Sequence, residues 1–403
     1  MTRLQGEPLG SLAVELAGRL GERIRQDAGA WHRLLAHVEG LLQQKRYVLT
    51  ELAAALEWLG TWVPVNEELP PLARLHWHSA RLACANHFGA TSLADATRAI
   101  ELAGQLREEV GPDACDADLR VAVAATNAFR FELAAKALHP WIGTDPAIPG
   151  LRNWCKVQSS LGQHAAFLGE YEEAIGYLDA ALAGFARLHD RRAAKRESGQ
   201  TQAYRLIVRM DAVLRENASG VAPAGFSEEL TAYLGMEVER FMNGARLADE
   251  VYRYEHHVLL RSLVAFPESF SDQVKRYLHQ ADEWQSGKGH PWPLIDAYRA
   301  LLLAADGHLP LAVEAGRRAV DALASEEAPL LRWMHCVLGV ALGAGGVEVT
   351  WGEDVSVEEF EKTLPEAPHT ALNDWSNAVA GGVRYTLPEI MVELGTCLPF
   401  NFH

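Results

Sequence analysis

The chain has 403 residues, of which 49% are hydrophobic, and its 37 basic and 53 acidic residues give a formal net charge of −16. This length suggests two or three domains or one elongated helical array. The acidic balance argues against nucleic-acid binding except through a local basic patch, because phosphate contacts require concentrated positive charge.

The first 70 residues predict an N-terminal helical bundle. Apolar residues recur at helical spacing there, beginning with Leu12, Leu16, Leu20 and Ile24. The prolines between Pro64 and Pro71 end this pattern, because proline lacks an amide donor and restricts the residue before it. We therefore place a domain boundary at residue 70.

From residue 72 the spacing becomes that of paired helices joined by short turns. The clearest pair runs from Leu161 to Leu182, with Gly169 at the corner. Small and apolar residues mark the sides on which the two helices approach each other, namely Gly162, Ala165, Ala174, Leu178 and Ala181.

This pair resembles a tetratricopeptide repeat, a family in which a Leu-Gly pair, a turn glycine, a tyrosine and two alanines recur in order. The matching residues are Leu161, Gly162, Gly169, Tyr171, Ala174 and Ala181. Ala300–Ala319 repeats the order with Gly307 at its corner, whereas Ala83–Ala103 and Val121–Leu138 repeat parts of it. The resemblance implies an all-α fold, a degenerate α-solenoid of helical hairpins over residues 71–345.

Residues 346–403 depart from the repeat pattern. Val347 and Val349 alternate with polar residues, which predicts a short extended segment or hairpin. The terminal repeats of a solenoid need an atypical cap, so we predict an irregular C-terminal cap here. The apolar tail with Phe400 and Phe402 either docks on the last helices of the chain or inserts into a partner.

The sequence contains no convincing catalytic or metal-binding signature. GxSxG, HExxH and GxxxxGK[ST] patterns are absent. His256 and His257 are adjacent and so point to different sides of a helix, which is poor geometry for one metal ion. We expect a noncatalytic protein without cofactor or metal; an enzyme with an unrecognised site remains a third alternative.

The composition also predicts the compartment. The five cysteines are scattered without a CxxC pair, so we expect reduced, mostly buried thiols. The stretch MTRLQGEP lacks the plan of a secretory signal, and no apolar run approaches the roughly 18 residues of a membrane-spanning helix. We expect a cytoplasmic protein that has no membrane partner.

A basic stripe is the most distinctive charged feature, formed by Arg187, Arg191, Arg192, Lys195 and Arg196. If the helix continues through Asp190, these residues share one side of it. In an acidic protein such a stripe suits an acidic peptide, a phosphate or a nucleic acid. The alternatives are a solvated helix face or salt-bridge partners for the chain's own acids.

In tetratricopeptide proteins the inner helices line a groove that takes an extended peptide or a partner helix. The corresponding positions here are Lys156, Gln163, Phe167 and Asn127. The resemblance therefore implies a scaffold, adaptor or regulatory subunit that binds a peptide or partner protein in this groove. The alternative is a peptide-responsive bacterial regulator, which a bundle followed by such hairpins also resembles and in which ligand binding repositions the N-terminal bundle.

Overall fold

A computed structural model describes residues 70–87, 93–244, 250–285 and 371–398, together with 293–349 except 325 and 327 and three single residues between 357 and 362. All regular structure in these ranges is helical, which confirms the all-α prediction. The predicted N-terminal bundle and the tail residues Phe400 and Phe402 lie outside them.

The chain divides into two compact units, residues 1–157 and 158–403. The division falls inside a helix, within the region that we predicted to be one repeat domain. The predicted domain boundaries near residues 70 and 345 stay predictions.

The first unit contains helical hairpins packed side by side. Its described helices are α1 (Pro71–His87), α2 (Leu93–Leu106), α3 (Gly111–Asn127), α4 (Phe131–Leu138), a 3-10 turn (His139–Trp141) and the first part of α5 (Leu151–Phe167). Helix α1 pairs with α2 and α3 pairs with α4, while α3 also lies against α1 and α2. Their core is a cluster of Leu82, Ala96, Ala99, Val121, Ala124 and Ala137. Small alanine side chains allow these helices to pack closely.

Polar contacts join α1 to α2 and to α3. The carboxylate of Asp95 on α2 accepts hydrogen bonds from His78 Nδ1 at 2.7 Å and Arg81 Nε at 2.9 Å. Arg120 on α3 donates to the backbone carbonyl of Ser79 at 3.1 Å, and the Asn86 amide donates to the Arg120 carbonyl at 3.0 Å. These contacts fix the register between the helices of the first unit.

The second unit begins within α5 and contains α6 to α16. Their bounds are α6 Tyr171–Phe185, α7 Arg191–Glu216, α8 Phe226–Leu234, α9 Val238–Gly244, α10 Glu250–Ala265, α11 Ser271–Gln285, α12 Pro293–Ala305, α13 Leu309–Asp321, α14 Pro329–Ala344, α15 Ala371–Ala380 and α16 Leu387–Cys397. Helix α7 packs on α10, α10 on α12 and α12 on α14. The last helix, α16, contacts α7, α10 and α14.

The same turn closes three helical hairpins. In each, a residue with positive φ is followed two positions later by the next helix: Phe129 and Phe131, Gly169 and Tyr171, Gly307 and Leu309. The residue between them donates its backbone amide to the carbonyl five residues earlier in the chain. The N···O distances are 2.8 Å for Arg130, 2.9 Å for Glu170 and 2.8 Å for His308. This is the Schellman geometry, in which glycine is the usual left-handed residue. The sequence predicted the two glycine turns but not the one at Phe129.

The extended segment or hairpin predicted after α14 stays a prediction, because residues 350–356 lie outside the described residues. Val347 and Val349 form no strand among the described residues. Both lie against Gly316 of α13, where an added Cβ would be 3.2 Å from a methyl carbon of each valine. Val347 is buried, and its amide donates to the Leu342 carbonyl at 2.9 Å, which ends α14. At these two positions the apolar side chains pack on α13.

The close helix approach predicted at Gly162 is confirmed. An added Cβ there would lie 2.7 Å from Leu178 Cγ and 2.9 Å from the Ala174 carbonyl oxygen. The carbonyl belongs to a buried helix backbone and has no freedom to move away. The glycine is therefore required by the packing of α5 on α6.

We expect Gly162→Ala to lower the free energy of unfolding by about 1–3 kcal/mol, because the overpacking outweighs the higher helix propensity of alanine. Gly176→Ala is the matched control: Gly176 lies on α6 with nothing within 4 Å of an added Cβ. That control is expected to be neutral or stabilising by up to about 1 kcal/mol. Urea unfolding followed by circular dichroism compares the two, and equal effects would contradict the close approach.

Candidate helix-binding site

A buried ion pair lies at the centre of the second unit. The carboxylate of Asp211 on α7 accepts a hydrogen bond from Arg261 Nη2 on α10. Arg261 Nη1 donates to the hydroxyl of Tyr298 on α12 at 2.9 Å. One guanidinium group thus links α7, α10 and α12, which pack against one another in that order.

The electrostatics of this group depend on the pairing. Arg261 is only 3% exposed, and its burial works against its charge. The carboxylate of Asp211 and the hydroxyl of Tyr298 outweigh that effect and raise the pKa of Arg261 above its usual value. Buried charges of this kind are tolerated because they are paired and hydrogen-bonded.

The polar line extends into the hairpin that resembles a tetratricopeptide repeat. Arg215, one turn beyond Asp211 on α7, lies over the Tyr171 ring with its guanidinium carbon 5.5 Å from the ring centroid. Burial and the nearby Asp211 carboxylate raise the pKa of Tyr171, so the ring stays neutral. The resulting line runs from α6 through α7 and α10 to α12.

Helix α16 covers this line. At Gly395 an added Cβ would lie 3.3 Å from Asp211 Oδ1 and 3.7 Å from Arg261 Nη2, so the backbone of α16 approaches the ion pair directly. The side of α16 that faces the unit is apolar, with Pro388, Ile390, Met391, Leu394 and Cys397 buried. At its end the indole N–H of Trp333 on α14 donates to the Cys397 carbonyl at 2.7 Å.

The basic stripe does not form as predicted. Helix α6 ends at Phe185 and α7 begins at Arg191, so the condition of one helix through Asp190 is not met. Arg187 lies exposed in the turn between them, and Lys195 is exposed on α7. Arg191, Arg192 and Arg196 lie on the first turns of α7, and their side chains are outside the described part of the structure.

Other basic residues of α7 pair with acids of neighbouring helices. Arg205 binds Asp179 on α6 and Glu229 on α8, and Arg209 binds Glu229 as well. This internal pairing lies further along α7 and involves no residue of the predicted stripe. It does not decide the role of the residues before position 197.

The four predicted groove positions divide between the two units. Asn127 and Lys156 lie in the first unit, where both are half-buried, and Gln163 is half-buried in the second. Phe167 is 7% exposed and belongs to the packed interior. Its proposed contact with a ligand therefore conflicts with its burial.

The side chains of the adjacent His256 and His257 contact two different helices, α9 and α12, as their spacing predicted. His256 contacts the Phe241 ring at 5.2 Å between centroids, and His257 contacts the Tyr298 ring at 5.6 Å. Burial, together with the charge of Arg299, lowers the pKa of His256 to about 3. Within the described ranges no three potential ligands are grouped for a metal ion.

A second buried carboxyl lies in the first unit. Asp118 on α3 is 2% exposed and accepts a hydrogen bond from Trp141 Nε1 at 2.9 Å. Burial raises its pKa to about 7, although the Trp141 hydrogen bond and the charge of Arg107 oppose the shift. Such a pKa is typical of catalytic acids, but this carboxyl is enclosed and held by an indole. The arrangement is that of a structural hydrogen bond.

No family model, curated protein or solved structure matches the chain. The site beneath α16 is therefore interpreted from its geometry alone. Among the described helices, none combines the length and the apolar character needed to cross a bilayer.

Sequence reasoning missed Asp211, Arg261 and the packing of α16. A signal was nevertheless present: Asp211 follows Ile207 by four residues, and Arg261 follows Val258 by three, so both charges interrupt apolar helix stripes. A charge in a buried stripe indicates a buried partner. Arg261 lies 50 residues from Asp211 and 37 residues from Tyr298 along the chain. Helix periodicity relates only residues a few positions apart, so it could not predict these contacts.

Proposed function

We propose that the chain is a noncatalytic binding protein, a scaffold, adaptor or regulatory subunit that takes a peptide or partner protein. Its proposed architecture is a degenerate tetratricopeptide-like α-solenoid with an N-terminal bundle and an irregular C-terminal cap. The recurrent turn at Phe129, Gly169 and Gly307 supports the repeat. The side-by-side helices of each unit support it as well.

One observation carries the proposed function. The surface made by α7, α10 and α14 already holds an amphipathic helix, α16, along its apolar side. Helix-in-groove recognition uses the same elements, an apolar stripe on the ligand and a prearranged groove on the receptor. A surface whose buried ion pair is already formed loses little conformational entropy when it binds.

The proposal includes a cytoplasmic setting. Four described cysteines, Cys115, Cys155, Cys336 and Cys397, are buried and form no disulfide within the described residues. Unpaired thiols suit a reducing compartment. The net charge of −16 favours protein over nucleic acid as the partner.

The basic residues that begin α7 are a proposed second contact, for an acidic segment of the partner. We expect affinity purification from the native host, with mass spectrometry, to recover a stoichiometric protein. Reversing Arg191, Arg192 and Lys195 to glutamate should reduce that recovery at least tenfold. Reversing three cations elsewhere, Arg98, Lys136 and Lys275, is the control for total charge.

The results separate the parts of the proposal. Recovery of no stoichiometric partner would count against the binding function itself. Equal recovery with both reversed variants would remove the start of α7 from the contact. A short peptide that changes the solution shape of the chain would instead favour the peptide-responsive regulator.

A further inference from the structure

The ion pair under α16 is formed without any side chain of α16. Arg261 binds both Asp211 and Tyr298, and α16 approaches the ion pair with its backbone at Gly395. Separating α16 from this surface would therefore leave no ion pair broken. The ion pair is therefore prearranged, and the described hydrogen bond between α16 and this surface is the one that its Cys397 carbonyl accepts from Trp333.

Helix α16 is likewise complete by itself. It begins with a capping box in which the Thr386 side chain accepts from the Glu389 amide and the Glu389 carboxylate accepts from the Thr386 amide. Pro388 sits in its first turn, where the missing amide donor costs nothing. The helix needs no group from another helix to satisfy its N-terminus.

The connection to α16 is exposed. Helix α15 ends at Ala380, and residues 381–384 that follow are all solvent-exposed, with Gly382 at a φ of 86°. The described contacts that hold α16 are thus its apolar side and the hydrogen bond from Trp333 to the Cys397 carbonyl. A ligand helix in a groove is held by contacts of the same kind, chiefly through its apolar side.

We propose that the surface of α7, α10 and α14 is a helix-binding site whose resident ligand is α16, and that a partner's amphipathic helix displaces it. This inference rests on the proposed binding function and names its site and ligand class. The ligand carries apolar residues at the spacing of Ile390, Met391, Leu394 and Cys397. It has glycine, or another small residue, at the position of Gly395, because a larger side chain would meet Asp211 and Arg261.

The test uses the full chain with a protease site inserted into residues 381–384. After cleavage, a fluorescently labelled peptide of residues 385–398 is added, and its anisotropy is measured. We expect the peptide to bind the cleaved chain and to be displaced by unlabelled peptide. The uncleaved chain should bind it at least tenfold more weakly, because the attached α16 competes.

Two peptide variants test the contact itself. Gly395→Leu is expected to weaken binding at least tenfold, because its side chain would enter the space of the Asp211 carboxylate. Thr396→Leu adds similar bulk at the neighbouring half-buried position, where the threonine hydroxyl bonds only the Val392 carbonyl of its own helix. Binding of this control should change less than threefold.

Three outcomes would overturn the inference: a folded cleaved chain that binds no peptide, loss of circular dichroism on cleavage, or equal binding of both variants. If a stoichiometric partner is nevertheless recovered from the host, the binding function survives and only this site is wrong. If the peptide exchanges but no partner is found, the helix-binding site stands and the adaptor function fails.

Discussion

Replacing Asp211 by alanine is expected to lower the free energy of unfolding by about 3–5 kcal/mol, the range observed when one member of a buried ion pair is removed. Most of this loss of stability comes from Arg261, the member of the ion pair that remains. Arg261 stays buried with its charge, and the hydrogen bond to the neutral Tyr298 hydroxyl does not compensate it. We expect the unfolding midpoint in urea to fall accordingly.

The double variant Asp211→Ala with Arg261→Met separates charge from packing. Removing both charges while keeping an apolar side chain should recover much of the lost stability, because no buried charge then lacks a partner. Glu101→Gln is the exposed control: its ion pair with Arg98 is largely solvated, and we expect a change below about 1 kcal/mol. A double variant as unstable as Asp211→Ala would show that the ion pair matters through its shape.

Asp118→Asn is expected to remove a pH dependence of the stability of the first unit. The folded-state pKa of about 7 exceeds the ordinary aspartate pKa of 3.8. Between these values the folded chain holds a proton that the unfolded chain has lost, so this group's contribution to stability falls as pH rises from about 4 to 7. At higher pH the folded state carries the full cost of the buried charge, on the order of 4 kcal/mol.

Urea unfolding at pH 5 and pH 8 measures this effect. Asparagine keeps a carbonyl oxygen for the Trp141 indole N–H, so the variant should gain stability relative to the wild type at pH 8 and less at pH 5. Asp116→Asn removes an acid from the same helix at a partly exposed position paired with Arg120. We expect that control to retain the wild-type pH dependence, and a retained dependence in Asp118→Asn would contradict the assignment.

The helical class and the hairpin from Leu161 to Leu182 could be predicted from sequence because both depend on local order. Gly169 and Gly307 stand where the turn needs a positive φ, and glycine adopts that conformation without strain. Phe129 performs the same role at a φ of 53° and escaped prediction. Its ring is fully buried against Phe131, so side-chain packing there outweighs the backbone preference.

The candidate site could not be predicted because it is built from separate parts of the chain. Asp211, Arg261 and Tyr298 come from three helices, and α16 joins them from the C-terminal region. The condition of a continuous helix through Asp190 fails for a local reason, since residues 186–190 form a turn between two helices. Arg187 is thereby separated from the stripe, whereas the basic residues that begin α7 stay a proposed contact.

The short exposed connection before α16 sets a threshold for any competing ligand. A helix tethered by a few residues competes at an effective concentration on the order of millimolar. A free helix with the same contacts would need about that concentration to occupy half of the sites. Partners at ordinary cellular concentrations would therefore succeed only with additional contacts, so the tether would act as a filter that rejects weak apolar helices.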